Sequence, residues 1–330
     1  MKISKKLFDT SYSNKSFLNQ NSFVVYGLGL TGKSAINLFK KKKVKFFIWD
    51  DDPVKRFLFG LEKRYKNIYF EQILDRVDWI ILSPGINIEK SKFSKKLIQN
   101  KSKIITDLDL FYILNKKIKS IVVTGSNGKS TTCKIIEHIF KKNDIKVKLG
   151  GNIGKPILNL KFKKNTTIII EASSFQLSYS KFVRPKYAII LNITNDHLDR
   201  HRTMKKYTES KFKIFLNQKK EDFAFLNNKK FINLYKKNNF KGQLQLISIK
   251  KYLNVRNKIK NNYLKSKIND ENMSFVYGLS KKFNIKNNLL IKSLDSFKGL
   301  EHRHEIFYQN NNIKLINDSK ATSFEASKYA

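Results

Sequence analysis

The chain has 330 residues, 41% of them hydrophobic and 26 of them Phe, enough apolar material for two or three packed domains and too much for a disordered chain. Lys and Arg number 67 against 26 Asp and Glu, a net charge of +41; the lysines are spread along the whole length among asparagines, as in NKKFINLYKKNN, and compositional drift explains them better than a nucleic-acid or membrane surface does. Cys133 is the only cysteine, which excludes an internal disulfide and fits a reducing compartment. The apolar runs are far shorter than the ~20 residues of a membrane helix. The first twenty residues have no continuous apolar stretch that could serve as a signal peptide. A soluble, cytoplasmic protein is expected.

In chain order, FVVY (23–26) is the first strand, and Gly27-Leu-Gly-Leu-Thr-Gly32 follows it and opens an amphipathic helix. FFIWD closes the next strand with Asp50. This is the layout of a dinucleotide fold, with glycines for close approach and a carboxylate for a ribose-type hydroxyl. The glycines at 27, 29 and 32 have the GxGxxG spacing, and a structural turn and an NAD site are both open on these residues alone. SIVV then leads into TGSNGKST (124–131), where glycines let backbone N–H groups turn toward phosphate oxygens and the following helix points its positive end at them. Lys129 can reach the terminal phosphates and the Ser130 or Thr131 hydroxyl can bind Mg²⁺. Only two residues separate Gly125 from Gly128, a departure from the usual Walker spacing.

Farther on, TIII ends in Glu171 and AIILNIT leads to His197. In a doubly wound sheet, strand carboxyl ends gather ligands, so both should lie near the phosphate loop as Mg²⁺ ligands. Mg²⁺ prefers oxygen, which makes the histidine the odd member. Lys211, in YTESKFKIF, is by residue type one lysine among dozens. FAFL (223–226) is a further strand, 240–268 reads as short strands and loops, and 272–283 as a helix. Past residue 297 a new pattern begins, GLEHRHE and then a strand candidate, IKLIND. The last residues read as a helix without a cap, from which a chain lacking most of its last domain is expected.

The expected fold is α/β: a Rossmann-like N-terminal domain over 1–116, a central P-loop-type ATPase domain with a mainly parallel sheet over 117–297, and the beginning of a third α/β domain over 298–330.

Taken in order, TGSNGKST, GGNIG (150–154), EASSFQL, NITNDHLDRH and NDSKATS resemble the blocks of the Mur ligase family, which builds the peptide of peptidoglycan precursors. The resemblance runs from about Phe23 to the end. YGLGLTGKS, LSPGI (82–86), DLDLF (107–111) and Ser174-Phe175-Gln176 are most similar to the branch that adds D-glutamate to UDP-N-acetylmuramoyl-L-alanine. The resemblance implies three steps. ATP phosphorylates the alanyl carboxylate to an acyl phosphate, the amine of D-glutamate attacks, and a tetrahedral intermediate collapses to amide and phosphate.

It also implies roles. ATP would be bound by Thr124, Gly125, Ser126, Asn127, Gly128, Lys129, Ser130, Thr131, Asn272, Arg303 and Asp318. The UDP-sugar would be held by Leu28, Leu30, Thr31, Asp50 and Ser83, with Asn152 and Ser173 toward the reacting end and Thr322 on the D-glutamate side. Two Mg²⁺ ions would be held by Ser130, Glu171, His197 and a carbamylated Lys211. Lys129, Lys211 and His197 would carry the catalysis. A monomer with small-molecule substrates is implied, and neither nucleic acid nor membrane is an expected partner. Arg202 departs from the family, which often has a small residue there, and Ser323 replaces a common Asn. The residues that grip D-glutamate in the family come mostly after Ala330. A sister Mur ligase or a folylpolyglutamate synthase-like ligase is the alternative, which EASSFQL and the first glycine motif argue against. A nucleic-acid binder rests on charge alone, and an oxidoreductase leaves TGSNGKST unexplained.

Overall fold

The computed structural model describes residues 14–59, 67–301, 305–310 and 312–319. The short apolar runs become strands of two parallel sheets. The first contains β1 (Phe23–Tyr26), β2 (Phe46–Trp49), β3 (Trp79–Leu82) and β4 (Ile104–Ile105) in the order β2-β1-β3-β4. Phe23 pairs with Phe46 on one side and with Trp79 on the other, so β1 is the strand where the chain changes direction. Every residue of β1 and β3 is buried, as a sheet covered by helices on both faces requires.

The second sheet contains β5 (Ser120–Thr124), β6 (Val147–Gly151), β7 (Thr167–Glu171), β8 (Tyr187–Ile190), β9 (Phe223–Leu226) and β10 (Gln243–Leu246). Its order is β10-β9-β8-β5-β7-β6 and every pairing is parallel. From β5 the chain goes out to β6, fills in β7, and crosses back to β8, β9 and β10. The carboxyl ends of β5, β7 and β8 therefore open side by side at a switch point, where such sheets bind ligands. A third, antiparallel pair, β11 (Glu305–Gln309) and β12 (Lys314–Asn317), sets Glu305 opposite Asn317. Among the described residues no helix is long and apolar enough to cross a membrane.

The helix Asp107–Leu114 is shared by both sheets. A capping box between Thr106 and Asp109 starts it, and all its residues from Asp107 to Ile113 are buried. Leu108, Phe111 and Tyr112 pack with Ile168 and Ile170 of the second sheet, whereas Leu110 and Ile113 pack with Phe23 and Ile81 of the first. Burial pushes the Asp107 carboxyl up to about 6, against the pull of the Gln176 amide, which donates to both of its oxygens at 3.2 Å.

The segment 240–268 departs from the expected strands and loops. It holds β10 and then the helices Ile249–Arg256 and Asn262–Lys265. Tyr252, Val255, Ile259 and Leu264 are buried, and Tyr252, Ile259 and Leu264 pack with Met273 and Val276 of the helix Asp270–Lys282. The lysines and asparagines between them mask this helical period in the sequence. The helix expected from Asn272 begins two residues earlier, at Asp270.

Candidate active site

β5 ends at Thr124 and the chain turns into the helix Lys129–Lys142 through Gly125–Gly128. Gly128 caps that helix at φ 77, in the left-handed region, and a Cβ there would lie 2.1 Å from the Asn272 Oδ1. Asn272 thus packs directly against the loop. A second asparagine holds it as well. Asn192, just past β8, accepts the Asn127 N–H on Oδ1 at 2.9 Å and the Ser126 N–H on its carbonyl at 3.0 Å. Its Nδ2 donates to Glu271 Oε2 at 3.0 Å, which fixes the amide so that the oxygen faces the loop. The Lys129 ammonium donates to the carbonyls of Gly125 at 2.9 Å and Ser126 at 2.6 Å.

Glu171, at the carboxyl end of β7, is 2% exposed. Its Oε2 accepts the Ser130 hydroxyl at 2.8 Å and its Oε1 accepts Asn152 Nδ2 at 2.7 Å. Asn152 is set by its own N–H, which donates to the Glu171 carbonyl at 2.8 Å. Both partners of the carboxylate are neutral donors, which suits a hard cation joining the same oxygens. Among the described residues no three His, Cys, Asp or Glu gather around one point. A metal here would therefore depend on Glu171, hydroxyl and phosphate oxygens, and whatever Lys211 and His197 supply.

Lys211 is the unexpected member in physical terms. Its side chain is 1% exposed, its Nζ donates to the Gly125 carbonyl at 2.8 Å, and it lies 4.4 Å from the centre of the Tyr207 ring one helical turn before it. Burial, and next the charge of Lys129, hold its pKa well below the ordinary lysine value. Tyr207 in turn shares a hydrogen bond of 3.0 Å with the Ser126 hydroxyl. His197 sits at φ 54 before the one-turn helix Leu198–His201, exposed, with Nε2 3.4 Å from Asp196 Oδ2 and its ring 4.7 Å from that of Phe175. A left-handed histidine is a strained position of the kind that collects at functional sites.

Residues Gly125 to Ser130, Asn152, Glu171, Ser173, His197 and Lys211 line one cavity of about 940 Å³. Thr124 and Thr131 are buried behind it. A separate cavity of about 1000 Å³, lined by Asn37, Lys41, Leu114 and Phe162 among others, takes none of these groups. Leu28, Leu30, Thr31, Asp50 and Ser83 gather instead at the glycine loop of the first sheet. The Leu28 side chain lies in the core and its N–H donates to Asp50 Oδ2 at 2.7 Å, so Asp50 organises the loop from within. Leu30 is 77% exposed. Ser83 Oγ donates to the Gly27 carbonyl at 2.7 Å, and a Cβ on Gly32 would come within 1.8 Å of that same oxygen. Asp318 follows β12, whereas Arg303 and Thr322 lie outside the described residues. Asn192, Asp196, Tyr207 and Glu271 were not singled out by sequence. The first two sit in the loop after β8, where the strand-end rule that selected His197 applies equally.

A sequence model described as the Mur ligase middle domain matches residues 123–291, and one described as the Mur ligase MurD-like N-terminal domain matches residues 21–106. The UDP-N-acetylmuramoylalanine–D-glutamate ligase of Rickettsia prowazekii is 35% identical over 324 residues, covering 91% of this chain and 71% of that protein. The enzyme of the same name from Buchnera aphidicola is 36% identical over 328 residues, covering 93% and 73%. Among solved structures, the fold resembles UDP-N-acetylmuramate-alanine ligase from Thermotoga maritima, with a TM-score of 0.50 at 17% identity over 90% of this chain and 74% of that one. The two sequence models and relatives at 35–36% identity agree, and the chain belongs to the Mur ligase family.

Proposed function

We propose that the chain is the ATP-dependent ligase that joins D-glutamate to UDP-N-acetylmuramoyl-L-alanine in the cytoplasm, and that it divides into functional units at residues 1–116, 117–297 and 298–330. The observation that carries this reading is the single cavity onto which the phosphate loop, Glu171 and the buried Lys211 all open. The names of the relatives support the choice of amino acid.

The helix Lys129–Lys142 points its positive end into the cavity, where the phosphates of ATP would sit. Lys129, which now donates to two loop carbonyls, would turn to the transferring phosphate. Mg²⁺, when bound, screens the anionic carboxylate from the anionic phosphate it must attack. Glu171 and Ser130 would hold one ion, with His197 and Lys211 at a second. The depressed pKa of Lys211 leaves an amine able to attack CO₂. A bond forms from Nζ to the CO₂ carbon, one proton leaves, and the side chain becomes a carboxylate-like ligand. Asn152 and Ser173 would position the alanyl end. The glycine loop of the first sheet, with Leu30, Thr31 and Ser83, would take the uridine nucleotide. Asn272 would meet the adenosine side, with Arg303 and Asp318 closing on ATP and Thr322 on D-glutamate.

Phosphate release from ATP, Mg²⁺ and UDP-N-acetylmuramoyl-L-alanine tests this. Release should require D-glutamate and vanish in Lys129→Ala. Release with another amino acid in its place would assign a sister ligase, and release unchanged in Lys129→Ala would remove the phosphate role.

A further inference from the structure

Two loops far apart in sequence are tied together by one side chain. Arg200 lies in the one-turn helix that begins right after His197. Its guanidinium donates from Nη1 to the Gly85 carbonyl at 3.2 Å and from Nη2 to the Ile86 carbonyl. Those residues follow Ser83, whose hydroxyl holds the Gly27 carbonyl, and the Ile86 side chain packs against Gly27 closely enough that a Cβ there would stand 2.9 Å from Ile86 Cγ1. The contacts from the glycine loop of the first sheet to Arg200 are unbroken.

On its other side the guanidinium lies 4.4 Å from the centre of the Phe175 ring. That ring stacks on His201 at 5.5 Å and 13° and lies 4.7 Å from His197. His201 Nε2 hydrogen-bonds the hydroxyl of Ser174, three residues past Glu171. One planar group thus touches the segment of Ser83, the segment of His197 and the segment of Glu171. Arg202 adds an outer tie to Glu89 Oε2 at 2.7 Å, but that pair is solvent-exposed and so contributes little.

We propose that Arg200 is a positioning residue that locks the nucleotide loop of the first sheet to the phosphoryl-transfer site of the second, and so sets where the far end of a UDP-sugar arrives. This rests on the ligase reading, in which one substrate spans both loops. A misplacement of about 1 Å at a reacting centre can cost on the order of 100-fold in rate, which gives such a tie its leverage. Lysine cannot replace it, because only the guanidinium fork meets two carbonyls while its carbon sits over an aromatic ring.

Arg200→Lys in the intact protein tests the proposal. The kcat/KM for UDP-N-acetylmuramoyl-L-alanine should fall roughly 10- to 100-fold while the KM for ATP stays within about twofold. Amide hydrogen exchange should speed up across residues 83–89 and stay unchanged across 125–131. Phe175→Leu, which removes the platform and keeps the fork, should shift both readouts the same way by less, and it serves if Arg200→Lys does not fold. Wild-type exchange and kinetics in the variants, or equal losses for ATP and the UDP-sugar, would overturn the proposal. Exchange needs no substrate, so a wild-type protein inactive with D-glutamate would defeat the ligase reading while exchange still decides the coupling.

Discussion

Replacing Asp107 by Asn should stabilise the protein near neutral pH and leave it unchanged in acid. The Asp107 carboxyl is 1% exposed. Burial pushes it from 3.8 to about 6, with Asp109 adding to the rise and the Gln176 amide opposing it. The folded protein therefore binds this proton more tightly than the unfolded chain does. The stability that the proton contributes is complete below pH 3.8 and is lost as pH rises through about 6. At 1.36 kcal/mol per pH unit, that span costs about 3 kcal/mol by pH 8. Asparagine keeps an acceptor for Gln176 and never ionises. The Gln176 bond is already part of the shift, so the gain at pH 8 should be the full span of about 3 kcal/mol. Urea unfolding between pH 4.5 and 8, followed by tryptophan fluorescence, measures the difference; the two tryptophans, Trp49 and Trp79, both lie in the first sheet, against which this helix packs. Stability curves for wild type and variant that run parallel across this range would refute the argument, as would a variant that loses ground as pH rises.

Three further substitutions probe the two loops. On the proposed role of Lys211 at a metal site, Lys211→Ala should lower ligase activity at least about 100-fold, and acetate or propionate should restore part of it; no restoration would count against a carbamate. Gly32→Ala puts a Cβ 1.8 Å from the Gly27 carbonyl, a contact with rigid backbone, so thermal unfolding should show a loss of roughly 1–3 kcal/mol and UDP titration a weakened site. A variant with native stability would show that the loop can relax. Asp50→Ala leaves the buried Leu28 N–H without its acceptor, a cost of about 1–3 kcal/mol, and should weaken UDP-sugar affinity while sparing ATP. Equal loss of both affinities would break the assignment of that loop to the UDP-sugar.

The strands and phosphate loop were legible because their signals are local. An apolar run of four or five residues followed by Gly and a hydroxyl-rich helix start carries its own geometry, as at Val123–Ser130. Lys211 was not legible from its residue type. It differs from the other lysines only in what the fold stacks over it, namely Tyr207 one turn away and the Gly125 carbonyl 86 residues back. Only the resemblance to a family singled it out. Glu271 escaped for a similar reason, since its effect on the loop passes through Asn192 and no spacing rule joins 271 to 127. The helices in 249–265 were hidden because lysine and asparagine fill the faces between Tyr252, Val255 and Leu264.

The shared helix Asp107–Leu114 limits how this protein can be recombined. A chimera joined before Thr106 would give the helix to one parent and Leu110 and Ile113 would face a foreign first sheet. A joint after Asn115 would leave Leu108, Phe111 and Tyr112 facing a foreign second sheet. Either seam cuts through packed side chains, so module exchange should work only when the partner residues on both sheets travel with the helix.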